Sequence, residues 1–158
     1  MLRFDIDNRA EASLCGIELD TTYSVTDDLT LLWHYTYQDL NWRSSAPFHE
    51  KELLSSPHNK FMIAARYSVN DDLHLSGHLY YVDEVKSPNP ENPFVPRSID
   101  SYFRLDVPAE YEFMADRASV AIGARNLLDS NHYEGGTLFL NDAEVPRMIY
   151  AESRLAIR

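Results

Sequence analysis

The sequence predicts an all-β chain: an antiparallel up-and-down meander of seven or eight strands, part of a transmembrane β-barrel. Three observations carry this. Apolar and polar residues alternate with period two along successive stretches, as on strands whose side chains point to opposite faces in turn. The connections between those stretches alternate short, long, short, long, as when every tight turn of a meander lies at one end, an asymmetry of outer-membrane barrels. The aromatics on the apolar faces also sort to strand ends. Tyr23, Tyr67, Tyr111 and Phe113 lie beside the tight turns, and Tyr35, Tyr37, Phe61, Tyr81 and Phe103 lie toward the long loops. Two aromatic belts flanking aliphatic residues are what the two interfaces of a bilayer select.

Taken in order, Leu2, Phe4 and Ile6 alternate with Arg3, Asp5 and Asp7, the end of a strand. From Ala12 to Val25, Cys15, Ile17, Leu19, Thr21 and Tyr23 share one face and Gly16, Glu18, Asp20, Thr22 and Ser24 the other. Thr26-Asp27-Asp28 is a tight turn. Leu29, Leu31, Trp33, Tyr35 and Tyr37 then oppose Thr30, Leu32, His34, Thr36 and Gln38. Asn41 to His58, with Pro47, Pro57 and four serines, has no period and reads as a long loop. Phe61 to Val69 alternates again, Asn70-Asp71-Asp72 turns the chain, and Leu73 to Val82 alternates back. Ser87 to Ile99, with four prolines, is a second long loop. Phe103 to Phe113 follows, with Arg104, Asp106, Pro108, Glu110 and Glu112 on the polar face. Pro108 removes a ladder donor, so an edge position or a bulge is expected there. A short Met114–Arg117 turn leads to the strand beginning at Ala118. Ser130 to Glu144 is a third long loop, and Arg147 to Arg158 the last strand.

With 158 residues, one domain is expected. Apolar residues at 44% and charged ones at 25% exclude a disordered chain. A net charge of −11 disfavours nucleic acid as a partner. The lone Cys15 cannot form an internal disulfide and reads as a small hydrophobe. No run approaches the roughly 18 apolar residues of a membrane helix, but a barrel has none either, because its strands alternate. The N-terminus lacks the layout of a signal peptide.

The stretch Ala118–Tyr133, ASVAIGARNLLDSNHY, is a strand that breaks at Asn126-Leu127-Leu128-Asp129 and runs on to Tyr133. It resembles the late barrel motif of TonB-dependent outer-membrane receptors. Ala12–Asp20 (ASLCGIELD) and Thr26–Tyr37 resemble earlier segments of the same barrels, and Val145-Pro146-Arg147 resembles the approach to the last strand. The resemblance implies a wall segment of a receptor that takes up scarce ligands, iron chelates or cobalamin, across the Gram-negative outer membrane with energy passed through TonB. It implies outer-membrane lipid around the wall and a small-molecule ligand in the full receptor, with no cofactor and no enzymatic activity. Such receptors carry an N-terminal plug, a TonB-contacting segment and a barrel of about 22 strands. Seven or eight strands therefore imply a C-terminal portion, not functional alone, that meets TonB only through the missing part. These barrels usually end on an aromatic residue, whereas this chain ends Leu155-Ala156-Ile157-Arg158.

Other chemistry is weakly signalled. His74 and His78 share a strand face but stand about 13 Å apart by the strand rise, too far for one metal ion. Asp27-Asp28 and Asn70-Asp71-Asp72 lack the ligand spacing of a calcium loop and read as turn formers. Glu110 and Glu112 share a face, where paired bore carboxylates are commoner than a catalytic pair. Gly135-Gly136 is a hinge without a phosphate-loop sequence around it, and no nucleophile triad is signalled by spacing. The competing architecture is a small soluble barrel of the lipocalin kind, with the same apolar faces turned inward around an apolar ligand.

Overall fold

The computed structural model describes residues 10–44, 56–87, 97–113, 117–130, 132–134 and 143–156. The strand end expected at Leu2–Asp7 and the Gly135-Gly136 hinge lie outside the described residues, as does most of each long loop. The strands are β1 (Ala10–Ser24), β2 (Leu29–Ser44), β3 (Asn59–Ser68), β4 (Leu73–Val82), β5 (Val85–Ser87), β6 (Arg97–Ile99), β7 (Tyr102–Phe113), β8 (Ala118–Arg125), β9 (Tyr133–Glu134), β10 (Ala143–Glu144) and β11 (Met148–Leu155). Seven of them form one antiparallel sheet in the order β1-β2-β3-β4-β7-β8-β11, a meander in which sequence neighbours are space neighbours. The other four pair locally, β5 with β6 and β9 with β10. The loops expected at Ser87–Ile99 and Ser130–Glu144 thus carry short hairpin ladders at their bases, and the loop expected from Asn41 begins only after Ser44.

The tight turns follow from single side chains. Thr26 Oγ1 accepts the Asp28 and Leu29 amides, at 3.3 and 3.0 Å. Asn70 Oδ1 accepts those of Asp72 and Leu73, at 2.9 and 2.8 Å. These are the local side-chain bonds that let Thr and Asn reverse a chain.

Pro108 corrects the sequence reading. It lies in β7, an interior strand between β4 and β8, and the register with β4 is the same on both sides of it: Leu75 faces Ala109 and His78 faces Asp106. There is no bulge. On this phase of β7 the amides point to β4, as the Glu112 N–H shows by donating to Asp72 O at 2.8 Å. Proline supplies none, so the ladder lapses opposite Ser76 and Gly77 and then resumes. On its other side Pro108 stays paired with Gly123.

The two faces are inside-out for a water-soluble protein. In β7 the polar phase, Tyr102, Arg104, Asp106, Pro108, Glu110 and Glu112, is half-buried throughout, while Phe103, Val107, Tyr111 and Phe113 are exposed. Ile17, Leu31 and Ile63 are 61%, 39% and 48% exposed. A lipocalin-like barrel would seal these residues in its interior, so that alternative fails. The buried apolar residues among those described are only Ala64, Ile99 and Ala118.

The aromatics form rows. Tyr35, Phe61, Tyr81 and Phe103 are successive cross-strand partners on β2, β3, β4 and β7. The Phe61 and Phe103 rings lie 5.1 and 4.9 Å from that of Tyr81. From Phe103 to Tyr111 is about 27 Å along the strand, or about 20 Å along the normal at a barrel tilt of roughly 40°, close to the height of a lipid-facing band.

The β1–β2 ladder outlasts its neighbours. Pairing of β2 with β3 stops at Tyr37–Asn59, but β1 and β2 stay paired to Ala10–Ser44. The ribbon thus rises about 23 Å beyond Tyr37. Its polarity inverts there. Ser13, Cys15, Asp39 and Asn41 occupy the phase that is apolar below, and Ala12, Leu14 and Leu40 occupy the phase that is polar below. The Asn41 amide donates to Asp39 Oδ2 at 2.7 Å on the newly polar side. At the crossover, a Cβ on Gly16 would collide with the backbone oxygen of Tyr37, so only glycine fits.

Among the described residues, both edge strands, β1 and β11, have a partner on one side only. In a seven-strand meander they run in the same direction. An all-antiparallel closed barrel therefore needs an odd number of further strands between them.

Candidate functional site

The sheltered polar face is where side chains meet across strands. On β1 and β2, His34 Nδ1 lies 2.5 Å from Asp20 Oδ1 and its Nε2 lies 2.9 Å from Thr36 Oγ1. This acid–imidazole–hydroxyl order, which spacing alone does not signal, is that of a nucleophile relay. Thr36 is only 5% exposed, so the trio ties two strands together rather than presenting a reactive hydroxyl. His74 and His78 go to different partners. His74 Nδ1 meets Ser68 Oγ at 3.0 Å and its Nε2 lies 3.9 Å from Glu112, while the His78 ring stands edge-on to Tyr80. Glu110 and Glu112 both sit half-buried on this face.

Farther along the same face, β4, β7, β8 and β11 frame a pocket of about 520 Å³ that includes Tyr80, Arg104, Asp106, Arg125, Pro146 and Tyr150 in its lining. Arg104 lies over the Tyr80 ring, 4.5 Å from its centroid, with Nε 3.3 Å from Asp106 Oδ2. Arg125 lies 5.3 Å from the Tyr150 ring centroid. That ring is accommodated by Gly123, where a Cβ would stand 2.7 Å from the Tyr150 hydroxyl. Two guanidinium groups and one carboxylate make this a positive island in a chain of net charge −11. Each guanidinium lies over an aromatic ring, a cation–π arrangement at the wall of the cavity.

Beside the pocket stands the Asn126–Asp129 motif. Asn126 is fully buried, and both Asn126 and Asp129 adopt the left-handed conformation, φ 50° and 53°. That conformation is uncommon outside glycine, and Asn and Asp tolerate it best. The Asn126 side chain donates from Nδ2 to Ser130 O at 3.1 Å and to Val145 O at 2.9 Å, and its Oδ1 accepts the Ser130 amide at 3.2 Å. Its backbone N–H donates to Asp106 Oδ1 at 3.0 Å. Asp129 Oδ1 accepts the Arg147 amide at 3.3 Å, and Oδ2 lies 3.4 Å from the Arg147 guanidinium. The Val145 N–H donates to His132 O at 3.0 Å, and the His132 ring stacks on Tyr102 at 3.9 Å. Of the motif residues read from sequence, the fold thus brings Asn126, Asp129 and Arg147 together and places Pro146 in the pocket wall. Leu127 and Leu128 are exposed, and Tyr133 pairs through its backbone with Glu144 in the β9–β10 ladder. Sequence reasoning missed Asp106, His132 and the two Arg–Tyr stacks. The period-two pattern put Tyr80, Arg104 and Asp106 on the right face but gave no relative heights across strands.

The long-loop end of the apolar face is tied off by polar groups. The Tyr35 hydroxyl donates to Asn59 Oδ1 and the Tyr81 hydroxyl to Asp83 Oδ1, both at 2.8 Å, and Asn59 Nδ2 donates to Asp83 Oδ2 at 2.7 Å. Asp83 lies past the end of β4. The Asn59 side-chain amide, and after it the Tyr81 hydroxyl, hold its carboxyl below the ordinary value.

The sequence profile of the family described as TonB dependent receptor-like, beta-barrel, matches residues 4–127. No curated protein matches. Among solved structures, the FrpB iron transporter from Neisseria meningitidis (F5-1 variant) is similar at 17% identity and a TM-score of 0.70, over 91% of this chain and 24% of that one. The siderophore receptor PiuA from Acinetobacter baumannii is similar at 18% identity and a TM-score of 0.68, over 92% and 22%. The ferripyoverdine receptor of the outer membrane of Pseudomonas aeruginosa is similar at 16% and 0.65, over 91% and 19%. At these identities the likeness is one of fold, and the chain spans about a fifth of the length of the structures it matches.

Proposed function

The chain belongs to the TonB-dependent receptor-like β-barrel family, and on that premise we propose that it is a length of barrel wall, the C-terminal portion, in an outer-membrane receptor for scarce ligands such as iron chelates or cobalamin. The observation that carries this reading is the inside-out sheet. A charge-free, aromatic-bordered face carries exposed large apolar residues on every strand of the sheet, while on the interior strands β4 and β7 the polar and charged phase is half-buried. Exposed apolar strand faces of this extent are tolerated where lipid replaces water. The order Val145-Pro146-Arg147 ahead of β11 supports the C-terminal assignment. The open edges support incorporation into a larger barrel, since seven antiparallel strands cannot close on themselves with antiparallel pairing throughout. The names of the similar structures, an iron transporter and siderophore receptors, support the ligand class. In this reading the wall contributes no catalysis, and contact with TonB belongs to other parts of the receptor. The pocket at Arg104 and Arg125 faces the bore.

The test uses Trp33, on the exposed apolar face between the two aromatic belts. In a Trp42→Phe variant Trp33 is the sole tryptophan. Brominated phospholipids will quench its fluorescence, while aqueous iodide will not. Quenching by iodide alone, in a chain recovered as a soluble monomer, would overturn the reading.

A further inference from the structure

We propose that Asn126 is a positioning residue for the bore pocket, a clasp that joins two ends of the chain and sets the pocket's charge. Its carboxamide reaches both ends of the connection between β8 and β11. Ser130 O and Val145 O, fifteen positions apart in sequence, accept from the same Nδ2, and Oδ1 accepts the Ser130 amide. The segment leading into β11 is thereby drawn against the wall, and Val145 and Pro146 become pocket lining. The backbone of the same residue acts in a second direction. Its N–H donates to Asp106 Oδ1, and Asp106 Oδ2 forms an ion pair, rather than a hydrogen bond, with Arg104 Nε at 3.3 Å, the guanidinium lying over the Tyr80 ring. The link from clasp to pocket charge runs Asn126, Asp106, Arg104. The left-handed backbone at Asn126 aims the N–H at Asp106 while the side chain turns toward Val145. Asparagine suits both tasks: it tolerates this conformation and carries one acceptor and two donors on a short side chain. Buried at 0% exposure, the carboxamide makes its bonds where water cannot substitute for them.

The two functions separate by substitution in the full chain in membranes, with Cys15→Ser removing the native thiol. Asn126→Gly keeps the left-handed backbone and the N–H but loses the carboxamide. Asn126→Ala loses the carboxamide and disfavours the backbone conformation as well. The first readout is alkylation of Val145→Cys, which reports the clasp. The second is the ratio of anionic to cationic thiosulfonate reaction rates at Met148→Cys, a pocket-lining position that reports local potential. Asn126→Gly will speed alkylation at position 145 about ten-fold, as expected for losing buried side-chain hydrogen bonds, and leave the charge ratio at 148 unchanged. Asn126→Ala will change both. Asn126→Asp, which keeps the acceptor and loses the donors, will follow Asn126→Gly at position 145. Unchanged alkylation in all three variants overturns the proposal. So does loss of the heat-modifiable folded band in all three, because the carboxamide then serves the fold at large rather than the pocket.

Discussion

The wall between the aromatic belts and the β1–β2 ribbon above it are built from the same two strands in one unbroken register, yet their faces have opposite polarity. Below Tyr37 the outward phase is Ile17, Leu19, Leu31, Trp33 and Tyr35; above it the same phase is Ser13, Cys15, Asp39 and Asn41. Backbone geometry does not require this switch, because strand period and pairing continue through it. On the proposed reading, what changes is the medium the outward phase meets, hydrocarbon below and water above. On the proposed barrel-wall reading, the crossover is expected to lie at the level of the outer bilayer boundary.

The largest expected effect is on thiol chemistry. Cys15, exposed on the outward phase of the ribbon, will react to completion with a membrane-impermeant maleimide in intact vesicles. Ile63→Cys in a Cys15→Ser background will react only with a lipophilic one. Equal labelling of both by the impermeant reagent would erase the distinction. Next comes stability. Ile63→Arg places a charge on the wall near mid-depth and will cost about 2–4 kcal/mol. Asn41→Arg on the ribbon will change stability by less than about 0.5 kcal/mol. Urea titration of folding into lipid vesicles reads both. The smallest effect is at the rim. Because the folded-state pKa of Asp83 is depressed, its contribution is complete above its ordinary value near 3.8 and is lost as pH falls through the folded-state pKa. Tyr35 and Tyr81 fluorescence will therefore change on acidification in the parent, and Asp83→Asn will remove that change. A pH response unaltered by Asp83→Asn would place its origin elsewhere.

Much of the wall was legible in the sequence because period two is a local signal: Phe103 to Phe113 gives its faces without reference to any other strand. The turns were legible for the same reason, since Thr26 and Asn70 bond amides two and three residues ahead. Pro108 was misread because local chemistry predicts a lost bond but not how the sheet absorbs it, here by a lapse in one ladder while the other continues. The ribbon was cut short because its polarity inverts while its pairing persists. Asn126 and Asp129 were read as strand-ending residues, which their left-handed backbones bear out. The partners of Asn126, Asp106 and Val145, lie 20 and 19 residues away, and Arg147, the partner of Asp129, lies 18 away. Only the register of β7 against β8 and the return of the chain to β11 bring these groups together.

The most direct measurement is a nitroxide scan of every position from Phe103 to Phe113, in a Cys15→Ser background, with the chain in lipid bilayers. Collision with oxygen, concentrated in hydrocarbon, will peak at Phe103, Leu105, Val107, Ala109 and Tyr111. Collision with a water-soluble nickel chelate will peak at the positions between them, and the two profiles will oscillate out of phase with period two. Protection of the odd positions from both reagents would mean that a sealed interior lies where a lipid-facing wall is described, and would contradict the account.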